Sequence, residues 1–437
     1  MKKTLLTICL TWMCFSLSAQ KIIDLSGKWS FSIDRQDNGE KEKWFSHTLN
    51  DCINLPGSMP EKLKGDEVTA KTQWTGSLYD SSYYYNPYME KYRKEGNIKF
   101  PFFLTPDKHY VGAAWYQKEV NIPADWKGER ILLFLERPHI ETTVWVNGQK
   151  TGMQNSLCVP HQYDITRYVR PGKCTITIRV DNRIKEINVG PDSHSITDQT
   201  QGNWNGIVGR ICLQTTPKTY FDDIQIYPEP EQKLARVKVV IKGAGITKIK
   251  LSAESFNTDK KHIVPAIQQE IKLNKGVTET EMVLPMGNDM LLWDEFHPAL
   301  YKLKAEVTNG KKTEIKEIQF GMRRFEIKGK WFYVNGRKTQ LRGTVENCDF
   351  PLTGYAPMDV ESWERVFRIC RSYGLNHMRF HSFCPPEAAF IAADRVGFYL
   401  QPEGPSWPNH GPKLGLGQPI DTYLMNETIA LTKEYGN

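Results

Sequence analysis

The feature that most constrains the fold of this chain is a change of pattern near Phe325. Before this point, short runs of alternating apolar and polar residues are separated by Gly, Pro, Asn and Asp, which is typical of antiparallel β-sandwiches. After it, short apolar runs alternate with stretches of helical periodicity, which predicts parallel strands joined by helices. The sequence therefore predicts a mainly β region followed by an α/β region. Its 437 residues also exceed what one hydrophobic core usually organises.

The β region divides into two predicted sandwiches, residues 20–218 and residues 219–322. The first contains a strong hairpin signal, Asn147-Gly148, because both residues of such a turn must tolerate positive φ. The second has regular strand spacing without helical periodicity, which predicts an immunoglobulin-like sandwich. The clearest strand-like runs are Arg130–Leu135, Thr142–Val146, Cys174–Val180, Ala235–Ile241, Lys248–Ala253, Thr280–Leu284 and Leu300–Val307. Two polar stretches, residues 65–97 and 188–206, are long enough to predict functional or disordered loops.

Residues 323–437 contain three strand-helix units. The predicted strands are Gln340–Arg342, Leu375–Phe380 and Phe398–Gln401, and the predicted helices are Asp359–Tyr373, Pro386–Val396 and Asp421–Tyr435, the last with Asp421 as N-cap. A closed (β/α)8 barrel needs eight units and about 250 residues. Three parallel strands alone would leave an unpaired edge and an uncovered apolar face. We therefore expect the first three units of an incomplete TIM barrel.

The N-terminus has the layout of a secretory signal. Lys2 and Lys3 precede an apolar run, and small residues end it near Ala19, so residues 1–19 are predicted to be a signal peptide; a buried first strand is the alternative. We expect a periplasmic or secreted protein. Bulky residues precede Cys9 and Cys14, so no lipid or other membrane anchor is expected.

Charge and cysteine content narrow the function classes further. The net charge of +7 is spread along the chain, which argues against a nucleic-acid partner. Seven widely spaced cysteines follow residue 19 without a C-x-x-C pair, which is typical of neither a zinc site nor a disulfide framework.

Several short strings, taken in order, resemble glycoside hydrolase family 2, which includes β-galactosidases, β-glucuronidases and β-mannosidases. These strings are Ala114-Trp115-Tyr116, residues 144–148 (VWVNG), residues 203–207 (NWNGI), Phe320-Gly321, Leu341-Arg342-Gly343, residues 378–381 (MRFH) and residues 393–397 (ADRVG). The resemblance covers essentially the whole chain after residue 19. It implies a sugar-binding-like jelly-roll sandwich, an immunoglobulin-like sandwich and a TIM barrel.

The resemblance also implies an exo-acting glycosidase that hydrolyses O-glycosidic bonds with retention, acting on the end of an oligosaccharide or polysaccharide. In the family, one glutamate acts as acid and base after the fourth barrel strand, and a second acts as nucleophile after the seventh. We expect both beyond Asn437, so no catalytic residue is assigned and this chain is predicted to be inactive alone. No cofactor or metal is expected, because Pro408-Asn409 stand where some relatives have a metal-binding carboxylate.

Candidate substrate-binding residues follow the predicted parallel strands, since barrel active sites form at the C-terminal strand ends. Arg379 lies in an apolar strand and needs a carboxylate partner, either near the family's nucleophile or in a structural ion pair. His381 could bind sugar hydroxyls or be structural, and the family's usual histidine stands two residues later. Glu403 matches a family glutamate that could bind sugar or pair with Arg379. Trp407 could stack on a sugar or pack within its loop.

Further candidates come from the resemblance. Asn347 stands where many relatives have a histidine, which argues against ordinary β-galactosidase specificity. His410 follows the third predicted strand. In the family, the loop that corresponds to residues 192–205 reaches the barrel mouth, which makes Asp198, Gln199 and Trp204 candidate contacts; a solvated surface loop is the alternative.

Two other classes of function remain open. A non-catalytic glycan-binding protein would retain the sandwich without the chemistry. A structural or adhesion module built on β-sandwiches would not explain the polar strand ends. The sequence leaves the sugar, its linkage and the oligomeric state undetermined.

Overall fold

The computed structural model describes residues 20–99, 102 and 104–436. The predicted signal peptide, residues 1–19, lies outside the described residues. From residue 20 the chain forms two antiparallel β regions and then a parallel sheet with helices, in the predicted order. The domain boundaries near residues 218 and 322 stay predictions.

The first β region is a sandwich of two antiparallel sheets over one core. One sheet contains Gly27–Asp34, Asp51–Leu55, Ala113–Ile122, Glu141–Val146, Gln149–Gln154 and Gly172–Asp181. The other contains Ile22–Asp24, Gly57–Ser58, Arg130–His139, His161–Asp164 and Gly206–Thr216. Leu133 from one sheet and Val144 from the other meet in the shared core. The turn at Asn147 (φ 50°) and Gly148 (φ 77°) is confirmed as the hairpin that the sequence predicts.

Several short elements lie outside the two sheets of this sandwich. They are the strands Asp66–Glu67 and Lys108–His109, the helix Ser82–Tyr85 and the 3-10 helices Trp44–Ser46, Pro87–Tyr92, Ala124–Trp126 and Asp198–Thr200. The two short strands pair with each other and close the polar stretch after residue 65 into a structured insertion. The 65–97 stretch therefore contains one short strand and two short helices joined by irregular segments.

The second β region contains Tyr220–Glu229, Leu234–Phe256, Ile263–Pro285, Leu300–Asn309 and Lys312–Phe320, with the 3-10 helix Pro230–Gln232. The separate strands predicted over 235–241 and 248–253 are wrong, because one strand, Leu234–Phe256, contains both. Its first half pairs with Tyr220–Glu229 and its second half with Leu300–Asn309. The register shifts between Gly243 and Gly245, and Gly245 (φ 91°) permits the irregularity without ending the strand.

An antiparallel sheet of Phe325–Lys328, Trp331–Val334 and Arg337–Thr339 precedes the parallel sheet. The parallel strands, in chain order, are Gly343–Glu346, His377–Phe380 and Tyr399–Pro402, with the second in the middle. The strand predicted at 340–342 is therefore wrong: the apolar Leu341 lies in the connection, and the first parallel strand begins at Gly343.

The helices are Val360–Ser372, Glu387–Val396 and Pro419–Tyr435. Asp359 caps the first by accepting the Ser362 N–H. Gly397 (φ 76°) ends the second, as the glycine after Val396 predicts. Asp421, however, is not the N-cap of the third. Gln418 occupies that position, and the Asp421 carboxylate accepts the Gln418 N–H at 3.2 Å as the acid of a capping box. It also accepts the N–H groups of Gly415 and Gly417.

The two faces of the parallel sheet differ. On one face Met378 and Phe380 are buried beneath Trp363 and Phe367 of the first of these helices. On the other, Val345, Arg379 and Gln401 lie side by side in register, and Val345 remains 49% exposed. Among the described residues, no further strand pairs with either outer edge of this sheet.

The third helix packs against the first sandwich. Ile420 and Tyr423 share an apolar cluster with Leu157, Val189 and Ile196. The C-terminal part of the chain is thus attached to the first sandwich at this helix. Within the described ranges, no helix is both long and apolar enough to cross a membrane.

Candidate functional site

An ion pair lies at the C-terminal ends of the second and third parallel strands. Arg379 Nε donates to Glu403 Oε1 at 2.5 Å, and the Ser382 N–H donates to Glu403 Oε2 at 2.8 Å. Burial alone would raise the pKa of Glu403, but these two donors outweigh it and hold the pKa below its ordinary value. Arg379 therefore has the carboxylate partner that its apolar strand requires, and Glu403 is ionised at neutral pH.

Three rings surround this ion pair. His194, from the first sandwich, lies 4.5 Å from the ring of His381 and stacks on Trp407 at 5.4 Å with an interplanar angle of 17°. Burial, with the nearby His381, lowers the pKa of His194 to about 4. Burial and Arg379 also lower the pKa of His381. A neutral imidazole can both donate and accept a hydrogen bond, which suits a ligand rich in hydroxyl groups.

His194 belongs to a segment of the first sandwich, residues 189–205, that we name the docking loop. Its hydroxyls bind the strand ends: Ser193 Oγ donates to the Pro405 carbonyl at 2.8 Å, and Ser195 Oγ donates to the Ser382 carbonyl at 2.7 Å. The Ser382 hydroxyl accepts the His194 N–H at 2.9 Å. Ser382 itself is left-handed (φ 47°), an uncommon conformation for a non-glycine residue, which these contacts hold in place.

The docking loop is buried, so its interpretation as a solvated surface loop is wrong. Asp192 through Asp198 are all buried, and Ile196 and Trp204 provide apolar anchors. The Trp407 N–H also donates to the Val189 carbonyl at 3.0 Å. The first sandwich therefore forms part of the wall around the strand ends.

His410 connects the strand ends to the insertion after residue 65. The buried Asp192 carboxylate lies 2.9 Å from His410 Nδ1 and accepts the Ser77 hydroxyl at 2.7 Å. Burial would raise the pKa of Asp192, but Ser77 and His410 hold it below the ordinary value. Asp192 therefore remains a carboxylate that joins three parts of the chain.

Other predicted residues lie outside the ion-pair and ring cluster. Asp198 is buried, lies 3.2 Å from His109 Nε2 and accepts the Thr75 N–H, so it holds the insertion. Trp204 is buried and stacks on His139 at 4.6 Å. Gln199 has a buried Oε1 without a hydrogen-bond partner among the described residues.

The end of the first parallel strand contributes a second carboxyl. Burial raises the pKa of Glu346, although the backbone N–H groups of Asn347, Cys348 and Asp349 act in the opposite direction. Asn347 is thus adjacent to the strand end, where its N–H faces Glu346. Glu346 shares the helix-covered side of the sheet with Phe380, away from the Arg379 side.

The sequence assigned no role to His194, Ser382 or Asp192, although Ser382 follows His381 at a predicted strand end and the loop 192–205 was expected at the barrel mouth. The individual contacts of His194 and Asp192 carry no local signal, because their partners lie about 190 to 220 positions away in the sequence. Among the described residues, no group of His, Cys, Asp and Glu side chains could hold a metal ion.

A cavity of about 1540 Å³ lies elsewhere, and its lining includes Arg210, Asp223, Phe390 and Leu400. It separates the two sandwiches from the second helix and the edge of the third parallel strand. Its position marks a gap between packed units rather than a convergence of functional groups. The polar strand-end cluster is the better candidate site because ionised, neutral-donor and aromatic groups meet there.

The family model described as "Glycosyl hydrolases family 2, sugar binding domain" matches residues 22–217. The model described as "Glycosyl hydrolases family 2" matches residues 219–323. The two models cover more than half of the chain, which belongs to glycosyl hydrolase family 2. The family resemblance in the sequence is thereby confirmed.

Relatives support the same family. The chain is 25% identical to a β-galactosidase of Thermoanaerobacter pseudethanolicus, covering 72% of this chain and 42% of the relative. It is 23% identical to the human β-glucuronidase, covering 87% of this chain and 57% of the relative. The chain thus spans about half the length of these curated relatives.

Solved structures show the same fold. A β-glucuronidase from Ruminococcus gnavus in complex with D-glucaro-δ-lactam matches 96% of this chain and 65% of its own, with a TM-score of 0.68 and 19% identity. A family 2 member from Bacteroides cellulosilyticus matches 95% of this chain and 51% of its own, with a TM-score of 0.67 and 19% identity. The two sandwiches and the parallel segment therefore follow an order already seen in this family.

Proposed function

We propose that this chain contributes the sandwiches and part of the sugar site of a retaining exo-glycosidase. The observation that carries the proposal is the docking loop, whose buried hydroxyls bind the C-terminal ends of the parallel strands. A barrel enzyme binds its substrate at these ends. The names of the relatives, β-glucuronidases and β-galactosidases, favour a β-linked glucuronic acid or galactose residue as the sugar that is released.

Residues 323–436 are proposed to be the first three units of a (β/α)8 barrel. One face of the parallel sheet is open, and Val345 and Arg379 lie on it instead of beneath a helix. Parallel sheets are normally covered on both faces, since their crossover connections bury them. Further strands would pair with the free edges and close this face into a barrel interior.

The acid/base and nucleophile are proposed to lie on barrel strands outside the described residues. Retaining hydrolysis needs two carboxyls about 5 to 5.5 Å apart, one of them able to hold a proton. Glu403 does not suit proton donation, because Arg379 and the Ser382 N–H hold its pKa low. Glu346 has a raised pKa but lies on the helix-covered side of the sheet. This chain alone is therefore expected not to turn over substrate.

The side chains at the ends of the parallel strands suit sugar binding. We assign hydroxyl recognition to the neutral imidazole of His381 and to the Glu403 carboxylate, which Arg379 orients. The buried His194, whose Nδ1 lies 3.1 Å from Ser382 Oγ, positions His381 and Trp407. Trp407 offers an aromatic surface for the apolar face of a sugar ring. Export to the periplasm or medium, directed by residues 1–19, is part of the same proposal and is tested by cell fractionation.

Hydrolysis of aryl β-glucuronides and β-galactosides tests this function. The chain as given is compared with a form extended through the remaining barrel strands. We expect turnover only in the extended form. Turnover by the chain as given would overturn the assignment of both catalytic carboxyls to other strands.

A histidine variant tests the site itself in the extended form. His194→Ala removes a buried imidazole that packs on His381 and Trp407, and we expect kcat/KM to fall by at least about tenfold because both rings lose the contact that positions them. His297→Ala, at an exposed histidine of the second sandwich, is the matched control and should leave kcat/KM unchanged. Equal kinetics for both variants would remove the docking loop from the sugar site.

A further inference from the structure

The insertion after residue 65 carries a dense group of tyrosines. Six tyrosines lie between positions 79 and 92. Four of them expose much of their side chains: Tyr79 (48%), Tyr84 (62%), Tyr85 (72%) and Tyr88 (85%). We call these four the tyrosine surface. An exposed aromatic group of this size on a folded protein commonly marks a binding site.

The tyrosine surface rests on ordered backbone. The Arg93 guanidinium donates to the carbonyls of Tyr83 and Asn86, and the Asn86 side chain accepts the Tyr88 N–H at 2.9 Å. The rings of Tyr83 and Tyr84 meet edge to face at 5.0 Å. Because these contacts fix the backbone before any ligand arrives, binding would cost little ordering entropy.

The same insertion is bonded to the strand-end site. Ser77 donates to Asp192, which in turn faces His410 after the third parallel strand. Tyr79 follows Ser77 by two residues and packs on Phe102 at 5.4 Å. Tyr79, the first member of the tyrosine surface, therefore lies two residues along the chain from a contact with the candidate sugar site.

We propose that the tyrosine surface binds the sugar residues of an oligosaccharide or polysaccharide that adjoin the residue to be released. This inference rests on the proposed function, because it extends the same site. A phenol ring has an apolar face that stacks on a pyranose and a hydroxyl that bonds to sugar oxygens. It also has few rotatable bonds to immobilise.

The polar surroundings favour a carbohydrate over a protein partner. Asp80, Ser81, Ser82 and Asn86 are interspersed among the exposed rings. The core of a protein interface is also rich in tyrosine but is depleted of Asp and Ser, so these polar neighbours and not the rings distinguish the two kinds of partner. The bond from Ser77 to Asp192 adds a second reason, since it ties the segment that carries the tyrosines to the strand-end site, where an extended substrate would begin.

The experiment compares substrates of two lengths on the extended enzyme. The probes are an aryl β-monoglycoside and a soluble tetrasaccharide that ends in the same β-linked sugar. For the double variant Tyr85→Ala/Tyr88→Ala we expect kcat/KM to fall about tenfold on the tetrasaccharide and to remain unchanged on the aryl glycoside. Tyr373→Ala, at a tyrosine that is 82% exposed beyond the helix Val360–Ser372, is the matched control.

Direct binding separates this inference from the proposed function. Calorimetry of the chain as given with the tetrasaccharide should show weaker binding for the double variant than for Tyr373→Ala. Equal binding by the two variants overturns the inference, whether or not the extended enzyme turns over aryl glycosides. If the extended enzyme turns over neither substrate while the chain as given still binds the tetrasaccharide, only the proposed function is overturned. Self-association that the double variant abolishes would identify a protein interface instead and overturn the carbohydrate assignment.

Discussion

The first sandwich and the parallel sheet differ in how their apolar faces are buried. In the sandwich, the two sheets cover each other, and Trp29, Leu133 and Val144 share one core. In the parallel sheet, helices cover Met378 and Phe380, whereas the face with Val345 is open. A sandwich has its own complete core, but half of a parallel sheet does not. The comparison suggests that the parallel segment depends on contacts with the first sandwich for its position.

Those contacts include the apolar cluster around Ile420 and Tyr423 and a set of buried polar bonds. The Arg137 guanidinium donates to the carbonyls of Leu157 at 2.6 Å, Cys384 at 3.2 Å and Pro385 at 3.1 Å. Glu427 of the third helix accepts the N–H of Leu157 at 3.0 Å. One cation thus holds the first sandwich and the parallel segment together through several charge-assisted bonds.

The largest effect is expected when this cation is removed. In Arg137→Met, three buried carbonyls lose their donor, and each buried polar group without a partner costs roughly 1 to 3 kcal/mol. We expect the free energy of unfolding of the parallel segment to fall by about 3 kcal/mol or more. Urea denaturation, with limited proteolysis to locate cleavage after residue 325, measures this loss while the sandwich stays protected.

Arg35→Met is the matched control. Arg35 pairs with Asp66 at 2.5 Å, but both side chains are 55% exposed. An exposed ion pair contributes about 0 to 1 kcal/mol. If the two arginine variants destabilised the protein equally, the dependence of the parallel segment on the sandwich contact would be refuted.

A buried carboxyl group of the first sandwich, Asp181, extends the comparison from apolar faces to charged side chains. Burial alone would raise the pKa of Asp181, but Arg183 and Lys185 hold it well below its ordinary value. Asp181→Asn should therefore lower the free energy of unfolding of the sandwich by about 2 kcal/mol at pH 7, since charge-assisted hydrogen bonds are lost. A lowered folded-state pKa gives stability above the ordinary carboxyl pKa near 4, and this stability is lost as the pH falls further.

Denaturant midpoints at pH 7 and pH 3 measure this effect. The difference between the wild-type chain and Asp181→Asn should shrink at pH 3, because the wild-type carboxylate loses part of its advantage there. Asp125→Asn, at an exposed carboxylate paired with Lys21, should change little at either pH. A pH-independent difference for Asp181→Asn would show that packing rather than charge explains its effect.

Local patterns in the sequence predicted the elements whose partners are close in the chain. The Asn147-Gly148 turn and the Gly397 stop each depend on neighbouring backbone. Asp421 was misplaced because an N-cap acid and a capping-box acid differ by only three positions.

The candidate site was predicted less completely. An arginine in an apolar strand signals its need for a carboxylate, and Glu403 supplies it. The docking loop looked solvated because its hydroxyls bind carbonyls about 190 to 210 residues away, which no local pattern reveals. The sequence therefore predicted the strand-end side of the site, with Arg379 and Glu403, better than the side formed by the docking loop.

The smallest effect, with the opposite sign, is expected in the parallel segment. Burial raises the pKa of Glu346, so the folded state disfavours its ionised form. This penalty is present above the raised folded-state pKa and disappears as the pH falls towards the ordinary carboxyl pKa. Glu346→Gln should therefore raise the free energy of unfolding by less than about 1 kcal/mol at pH 7 and leave it unchanged near pH 4.

An exposed glutamate of the same segment provides the control for the predicted gain in stability of Glu346→Gln. Glu361 lies in the first turn of the helix Val360–Ser372, where a negative charge is favourable to the helix dipole. Glu361→Gln should lower stability slightly at pH 7, by about 0.3 to 1 kcal/mol. Thermal unfolding of both variants at pH 7 and pH 4 distinguishes them. Destabilisation by Glu346→Gln at pH 7 would mean that the end of the first parallel strand stabilises a carboxylate, as the sandwich does at Asp181. The two regions would then treat a buried carboxyl group in the same way, and they would differ only in how their apolar faces are buried.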